Sequence, residues 1–150
     1  MNAKTYTSAQ AVKEPWLPVM RELVRTYQAF ALCSGRHIGG LGLTAAQFDV
    51  ISTLGNTQGM TFKELGERTL ITKGALTGII DRMEKKKWVR RVALADDRRS
   101  MLVQLTVKGE ALFEQIFPAH IYYLRERFIQ FSETERKDLV RLLEKLKGVL

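Results

Sequence analysis

Two short amphipathic segments, joined by only a few residues, constrain the fold of this chain most strongly. The first opens at Thr61-Phe-Lys-Glu64, a capping box in which the Thr61 hydroxyl accepts the backbone amide three residues on and Glu64 reaches back. It is predicted to end near Arg68, and Thr72 is a favourable N-cap for the next helix. Because so short a connection forces two helices to cross steeply, we predict a helix-turn-helix; an ordinary helical hairpin is the alternative. The apolar face of the second helix is formed by Leu76, Ile79, Ile80 and Met83.

Two strand-like runs follow this pair of helices. Residues 88–94 and 100–105 are rich in Val, Leu and Trp, and they enclose the polar turn Ala95-Asp-Asp-Arg-Arg99. Two such runs around a short polar loop predict a β-hairpin. A hairpin with arginines at its tip, directly after a helix-turn-helix, is a wing.

Proline, glycine and hydroxyl residues place the remaining helices. Pro15 and Pro18 open a first helix that is predicted to run to about His37 and to end at the glycines that follow. Residues 1–14 are polar and are expected to fray. A long amphipathic helix follows the hairpin, and Pro118 is expected to kink it. The N-caps of the other helices are Thr44, Thr106 and Ser132.

The whole pattern predicts one domain over residues 1–150, mainly α with a small β-hairpin wing. Residues 44–105 are expected to form a winged helix-turn-helix lobe. Residues 15–38 and 106–150 carry more apolar surface than the core of so small a lobe needs, which favours a twofold homodimer held by these terminal helices. Packing of the same stripes within one monomer is the alternative.

The positive charge of the chain is unevenly distributed. The net charge is +8, and residues 63–99 hold eleven basic and six acidic side chains, a net charge of +5. A concentrated basic segment is the electrostatic footprint of a polyanion-binding surface, although a solvated helix face gives the same pattern. We expect double-stranded DNA as the partner and no membrane, since the segment is not one basic amphipathic helix.

The second helix of the pair carries side chains suited to reading DNA. Its small residues allow the helix to sink into the major groove, and its threonines can donate to phosphate or touch a thymine methyl group. A lysine at its start can reach phosphate or guanine, and an arginine further along suits phosphate. The predicted DNA-binding residues are Thr72, Lys73, Gly74, Thr77 and Arg82. The alternative is that the two threonines have only structural roles, one as a helix cap and the other as a space-filling side chain.

The tip of the wing is the second predicted DNA contact. The guanidinium of Arg99 suits the negative potential of a narrow minor groove, and Asp97 is placed to hold it. Arg98 would face the flanking phosphates. A solvated turn is the alternative.

With these motifs in order, the chain resembles the multiple-antibiotic-resistance regulator (MarR) family of bacterial winged-helix transcription factors from about residue 17 to residue 148. Each motif is short, and their common order and spacing are specific. The segments that carry the resemblance are Leu43-Thr44-Ala-Ala-Gln47-Phe48, Lys63-Glu-Leu65, Thr72-Lys-Gly74, Leu76-Thr-Gly-Ile-Ile-Asp-Arg-Met-Glu84, Asp97-Arg-Arg99 and Leu105-Thr-Val-Lys-Gly109.

The resemblance implies an obligate dimer that binds palindromic operators, usually represses nearby genes, and is released by a small, often aromatic ligand in a crevice between its lobes. Two positions depart from the family pattern. Lys87 stands where the family usually has glycine, so either this lysine is left-handed, at a cost of about 1 kcal/mol, or the turn differs from that of the family. Leu94 stands where an aspartate is common at the base of the wing.

Few residues suggest what the protein senses. Phe30, His37 and Phe48 are candidates to line a ligand crevice, with ordinary core packing as the alternative. Cys33 and His37 have metal-ligand spacing, but only one other histidine, His120, is present, so we expect no metal. Cys33 is expected to be a buried, inert thiol.

Other functions find no support in the sequence. The chain has no glycine-rich phosphate loop and no nucleophile elbow, so we expect neither an enzyme nor a cofactor. Without a long apolar run or an apolar signal core, it is expected to be cytoplasmic. The predicted function is a sequence-specific transcriptional regulator, a repressor, that binds DNA as a homodimer. The alternatives are an architectural DNA binder without a ligand switch and an interaction module that has lost DNA binding.

Overall fold

The computed structural model describes residues 6–69, 71–94 and 97–150, and the side chains of residues 94–100 lie outside the description. The described part contains seven helices and three strands. In chain order they are α1 (Ser8–Ala11), α2 (Leu17–Gly40), α3 (Ala45–Leu54), β1 (Met60–Thr61), α4 (Phe62–Thr69), α5 (Lys73–Lys85), β2 (Val89–Leu94), β3 (Asp97–Leu105), α6 (Val107–Phe128) and α7 (Glu133–Lys147).

Most predicted caps are confirmed. Thr44 accepts the Gln47 amide at 3.2 Å, and the Gln47 side chain accepts the Thr44 amide at 3.1 Å. The same reciprocal bonds join Thr61 to Glu64 at the start of α4, at 2.8 and 3.2 Å. Single caps and boxes of this kind satisfy amides that would otherwise lack a partner. The caps of α6 and α7 are Thr106 and Ser132, as predicted.

Two local predictions are corrected, and a third, the N-cap at Thr72, is confirmed in its position only. The N-terminal segment is not frayed throughout, because Thr7 and Gln10 form a capping box that starts α1. α2 continues beyond His37 to Gly40, and the chain leaves the helical conformation at Gly42, whose φ is +79°. Thr72 has extended N-cap dihedrals, but its side chain makes no cap hydrogen bond within the described residues.

The strands form an antiparallel sheet in the order β1-β3-β2. The two-residue strand β1 was not predicted; it pairs Met60 with Val103. The wing hairpin is confirmed, but its predicted turn was too long. The pairing of Leu94 with Asp97 places the first residues after the tip on β3 and leaves residues 95–96, which lie outside the description, between the strands.

The core lies among α3, α4, α5, the sheet and the first half of α6. The predicted buried face of α5 is confirmed, since Leu76, Ile79, Ile80 and Met83 are all buried. α6 continues through Pro118, and its burial decreases along its length: Phe113 is buried, whereas Phe128 is exposed. The chain divides into two compact units, one ending at Arg36 and one spanning His37–Leu150, and this core belongs to the second.

No helix in the described ranges is both long enough and apolar enough to cross a membrane.

Candidate nucleic-acid interface

Helix α5 presents an open surface beside its buried apolar face. The predicted DNA-binding residues on and before this helix are all exposed: Thr72, Lys73, Gly74, Thr77 and Arg82. The Thr77 hydroxyl donates to the Lys73 carbonyl at 3.3 Å, so this side chain lies along the helix. The structure therefore places these five residues on the accessible surface of α5 and its N-cap.

The glycines of α5 leave this surface free of side-chain bulk. A Cβ atom built at Gly74 would meet no described atom within 4 Å, and one at Gly78 would approach only the Arg82 Nη1, at 3.5 Å. Packing among the described residues therefore does not require glycine at either position. Small residues at such positions allow close approach of a partner to the helix backbone.

The wing residues predicted from the sequence have a described backbone only. Asp97, Arg98 and Arg99 begin β3, and their side chains lie outside the described residues. Behind the tip, Arg90 donates to Gln104 at 3.2 Å, and Gln104 donates to the Gln58 carbonyl at 2.7 Å. The base of the wing is thus hydrogen-bonded across its strands.

A charged cluster that was not predicted from the sequence joins β2 to α5. The Arg91 guanidinium contacts Asp81 at 2.7 Å and also pairs with Glu84, and it lies 5.3 Å from the centre of the Phe62 ring. The backbone amide of Arg91 donates to Glu84 at 3.2 Å. The signal that could have found it is the presence of two carboxylates, Asp81 and Glu84, within residues 73–91, where every other charged side chain is basic.

The end of α5 is closed by a left-handed lysine. Lys87 has a φ of +61°, so it adopts the left-handed conformation, the first of the two possibilities left open by the sequence. Its amide donates to the Glu84 carbonyl at 2.8 Å, and the Trp88 amide donates to the Met83 carbonyl at 3.0 Å, which is a Schellman motif. The Thr106 hydroxyl donates to the Lys87 carbonyl at 2.6 Å, so the start of α6 holds this turn.

An aromatic cluster lies where the end of α2 meets α3 and α6. The Nδ1 atoms of His37 and His120 are 3.0 Å apart, a distance at which one ring donates to the other. Tyr123 stacks on His37 with ring centres 4.1 Å apart, and the Phe48 ring packs edge-on against His120 at 4.7 Å. The structure therefore brings the predicted residues His37 and Phe48 into one cluster and adds His120 and Tyr123, which the sequence did not indicate as site residues. Phe30 lies on α2 in the first unit and is 44% exposed.

Stability should fall in mild acid because of this cluster. Burial, together with the neighbouring His37, lowers the pKa of His120 below its ordinary value of about 6.5. As the pH falls through that ordinary value, the unfolded chain binds the proton first, so the free energy of unfolding decreases. We expect urea unfolding at about pH 7.5 and about pH 5.5 to show a smaller decrease for His120→Gln than for the natural chain. Equal decreases in the two proteins would contradict this role for His120.

Two observations concern the candidate metal ligands and the thiol, and the second corrects a prediction. The described ranges contain no group of three or more His, Cys, Asp or Glu side chains placed to hold a metal ion. Cys33 is half-buried, not buried as predicted, because the part of α2 on which it lies keeps much of its surface exposed.

A helix-turn-helix with a short antiparallel sheet and a β-hairpin defines a winged-helix protein, so the predicted fold class is confirmed. The sequence model of the MarR family matches residues 41–100. The crystal structure of wild-type Escherichia coli MarR in its apo form is 30% identical, with a TM-score of 0.71, covering 87% of this chain and 97% of that chain. The chain belongs to the MarR family of transcription regulators.

Two further similarities agree with this membership. The curated relative MhqR of Bacillus subtilis, a helix-turn-helix-type transcriptional regulator, is 29% identical over 124 residues, covering 83% of this chain and 86% of MhqR. A structure of Bordetella bronchiseptica BpsR, which concerns regulation of its DNA binding by 6-hydroxynicotinic acid, is 29% identical with a TM-score of 0.77. It covers 89% of this chain and 96% of that chain.

Proposed function

We propose that this chain is a sequence-specific DNA-binding regulator that binds a palindromic operator as a homodimer and represses nearby genes. The observation that carries the proposal is the exposed, glycine-containing surface of α5, which lies in the most basic segment of the chain. The structural neighbour from E. coli described above was also solved, as a mutant, in complex with operator DNA. The role is regulatory, with no catalysis and no cofactor.

The roles of the DNA-contacting residues follow from their chemistry. Lys73 and Thr77 read bases in the major groove, with Gly74 allowing the close approach, and Thr72 and Arg82 bind phosphate. The wing enters the minor groove with Arg99, while Asp97 orients that arginine and Arg98 binds the flanking backbone. Residues 44–105 thus form the DNA-binding lobe.

The dimer is formed by the terminal helices, residues 15–38 and 106–150. Within the second unit, the end of α6 and the start of α7 border an apolar groove of about 780 Å³, lined among others by Ile121, Leu124 and Phe128. α7 adds an exposed leucine stripe. So much exposed apolar surface is costly in water, and a second copy of the chain would cover it. A twofold dimer places its two copies of the recognition helix α5 about 34–36 Å apart, which is one turn of DNA.

The proposed effector is a small aromatic molecule that releases the protein from DNA. The candidate residues are those predicted from the sequence, Phe30, His37 and Phe48. His37 and Phe48 lie in the aromatic cluster with His120, whose rings offer stacking surfaces and ring nitrogens to such a molecule. The aromatic acid named for BpsR belongs to this chemical class.

The experiment that tests the function is selection of sheared genomic DNA by the purified protein at about 0.15 M salt, followed by sequencing. Enrichment of an inverted repeat supports a dimeric, sequence-reading regulator. Uniform recovery, with an affinity that depends on salt alone, would favour an architectural DNA binder. The absence of any recovery without added ligand would contradict DNA binding by the free protein.

Gly74 offers a test of the recognition surface that leaves the fold intact. Since a Cβ atom here meets no described atom within 4 Å, Gly74→Leu should keep or slightly raise the free energy of unfolding, by up to about 1 kcal/mol. Its bulk should nevertheless hold α5 away from the bases and weaken operator binding at least about tenfold. Fluorescence anisotropy on operator and unrelated DNA measures both affinities. An unchanged operator affinity would remove Gly74 from the interface.

A further inference from the structure

We propose that Arg91 is a positioning residue that holds the wing in a fixed orientation to the recognition helix α5 and thereby sets the preference for operator over other DNA. The inference rests on the proposed DNA-binding function. Arg91 need not touch DNA for this role. It acts through the residues that it joins.

Arg91 connects three elements of the DNA-binding lobe. It projects from β2, pairs with Asp81 and Glu84 on α5, and lies against the Phe62 ring on α4. Its side chain is 26% exposed, so water screens these contacts less than those of a fully exposed pair. A second attachment comes from its backbone amide, which donates to the same Glu84 at 3.2 Å. The wing strand is therefore bound to the recognition helix by both side chain and backbone.

The geometry requires an arginine. Asp81 and Glu84 are three residues apart on one helix, and the guanidinium reaches both with different nitrogens, Nη2 and Nη1. A planar fork can bridge two carboxylates in this way, whereas the ammonium of lysine is a point charge that lacks this fixed geometry. Substitution by lysine thus keeps the charge and loses the bridge.

The connection leads directly to the predicted DNA contacts of the wing. Arg91 pairs with Val103 in the β2–β3 ladder, and the same ladder continues to the pairing of Leu94 with Asp97, next to Arg98 and Arg99. A change of tilt at Arg91 would therefore move the wing tip relative to α5. Because minor-groove and major-groove contacts must be made together, such a movement weakens operator binding more than non-specific binding.

The neighbouring Arg90 provides a matched control. It carries the same charge on the same strand, is exposed, and donates to Gln104 on the adjacent strand β3. Arg90→Lys and Arg91→Lys therefore leave the net charge of the protein unchanged, and they differ in which contact is lost.

The test measures the affinity of the full-length protein for its selected operator and for unrelated DNA over a series of salt concentrations. For Arg91→Lys we expect the ratio of the two affinities to fall about tenfold, with an unchanged salt slope, and for Arg90→Lys we expect it to stay within about twofold. Arg91→Lys made in an Arg99→Ala background should lower this affinity ratio little further, because the contact of the wing with DNA is then already lost. A purely structural loss of stability would not depend on Arg99.

An unchanged ratio in Arg91→Lys, or an equal loss with and without Arg99, would overturn the inference while leaving the DNA-binding function in place. A natural protein that shows no preference among sequences would overturn the proposed function itself, and the inference with it. If Arg91→Lys does not fold, Asp81→Asn removes one partner of the bridge and carries the same double-substitution test.

Discussion

Replacing Leu139 and Leu142 by glutamate should convert the protein into a monomer and abolish tight operator binding. Both side chains lie on the apolar stripe of α7, and Leu142 is 53% exposed in the single chain. In the proposed dimer these positions are covered by the second copy, and burial of two carboxylates there without partners is strongly unfavourable. Since a dimer binds two half-sites at once, its loss should reduce operator affinity at least about 100-fold. Light scattering gives the mass, and anisotropy gives the affinity.

The control for this variant removes the same amount of charge from the polar side of the helix. Lys137→Gln with Arg141→Gln lowers the net charge by two, as does the double glutamate substitution, at positions that form exposed pairs with Glu133 and Asp138. This control should remain a dimer and bind the operator with only the modest loss expected from weaker electrostatics. A double glutamate variant with the mass of a dimer would show that α7 does not form the interface.

Of the proposed substitutions, Gly109→Ala should cause the largest decrease in the free energy of unfolding. A Cβ atom at Gly109 would lie 2.0 Å from the Trp88 carbonyl oxygen and 3.2 Å from Leu105 Cδ2. The carbonyl belongs to the backbone that also accepts the Thr106 amide at 3.0 Å, so it cannot turn away without breaking that bond. We expect a decrease of about 3 kcal/mol in the free energy of unfolding, measured with urea.

Gly74→Ala is the matched control for Gly109→Ala, since both substitutions replace a glycine in the first turn of a helix. A Cβ atom there meets no described atom within 4 Å, and alanine favours a helix by about 0.5–1 kcal/mol over glycine. This variant should unfold at the same or a slightly higher urea concentration. A Gly109→Ala protein as stable as the natural chain would mean that α6 can shift away from β2 at little cost.

Features that depend on a few neighbouring residues were predictable from the sequence. The capping boxes at Thr44, Thr61 and Ser132 form between residues three apart, so their hydrogen bonds are nearly independent of the rest of the chain. The buried face of α5 follows from helical periodicity in the same way. Even so, local chemistry did not decide every cap, since Thr72 adopts the N-cap conformation without the side-chain bond.

Contacts between distant residues were not predictable in this way. His37 and His120 are 83 residues apart in the chain, and nothing local to either indicates the other. The strand β1 has two residues, too few for an alternating pattern, and exists because β3 offers it an edge. Arg91 looks like any other basic residue of its segment until the sheet places it over two carboxylates of α5.

By itself, the sequence determined the order of the helices, the hairpin, the buried faces and the membership of a winged-helix class, because short-range hydrogen bonds and the periodic burial of apolar side chains specify these features. Only the tertiary structure decided which side chains meet: the histidine pair, the bridge from Arg91 to α5, and the close approach of Gly109 to Trp88. These contacts arise from packing the elements against one another, and packing depends on the shape of the whole core.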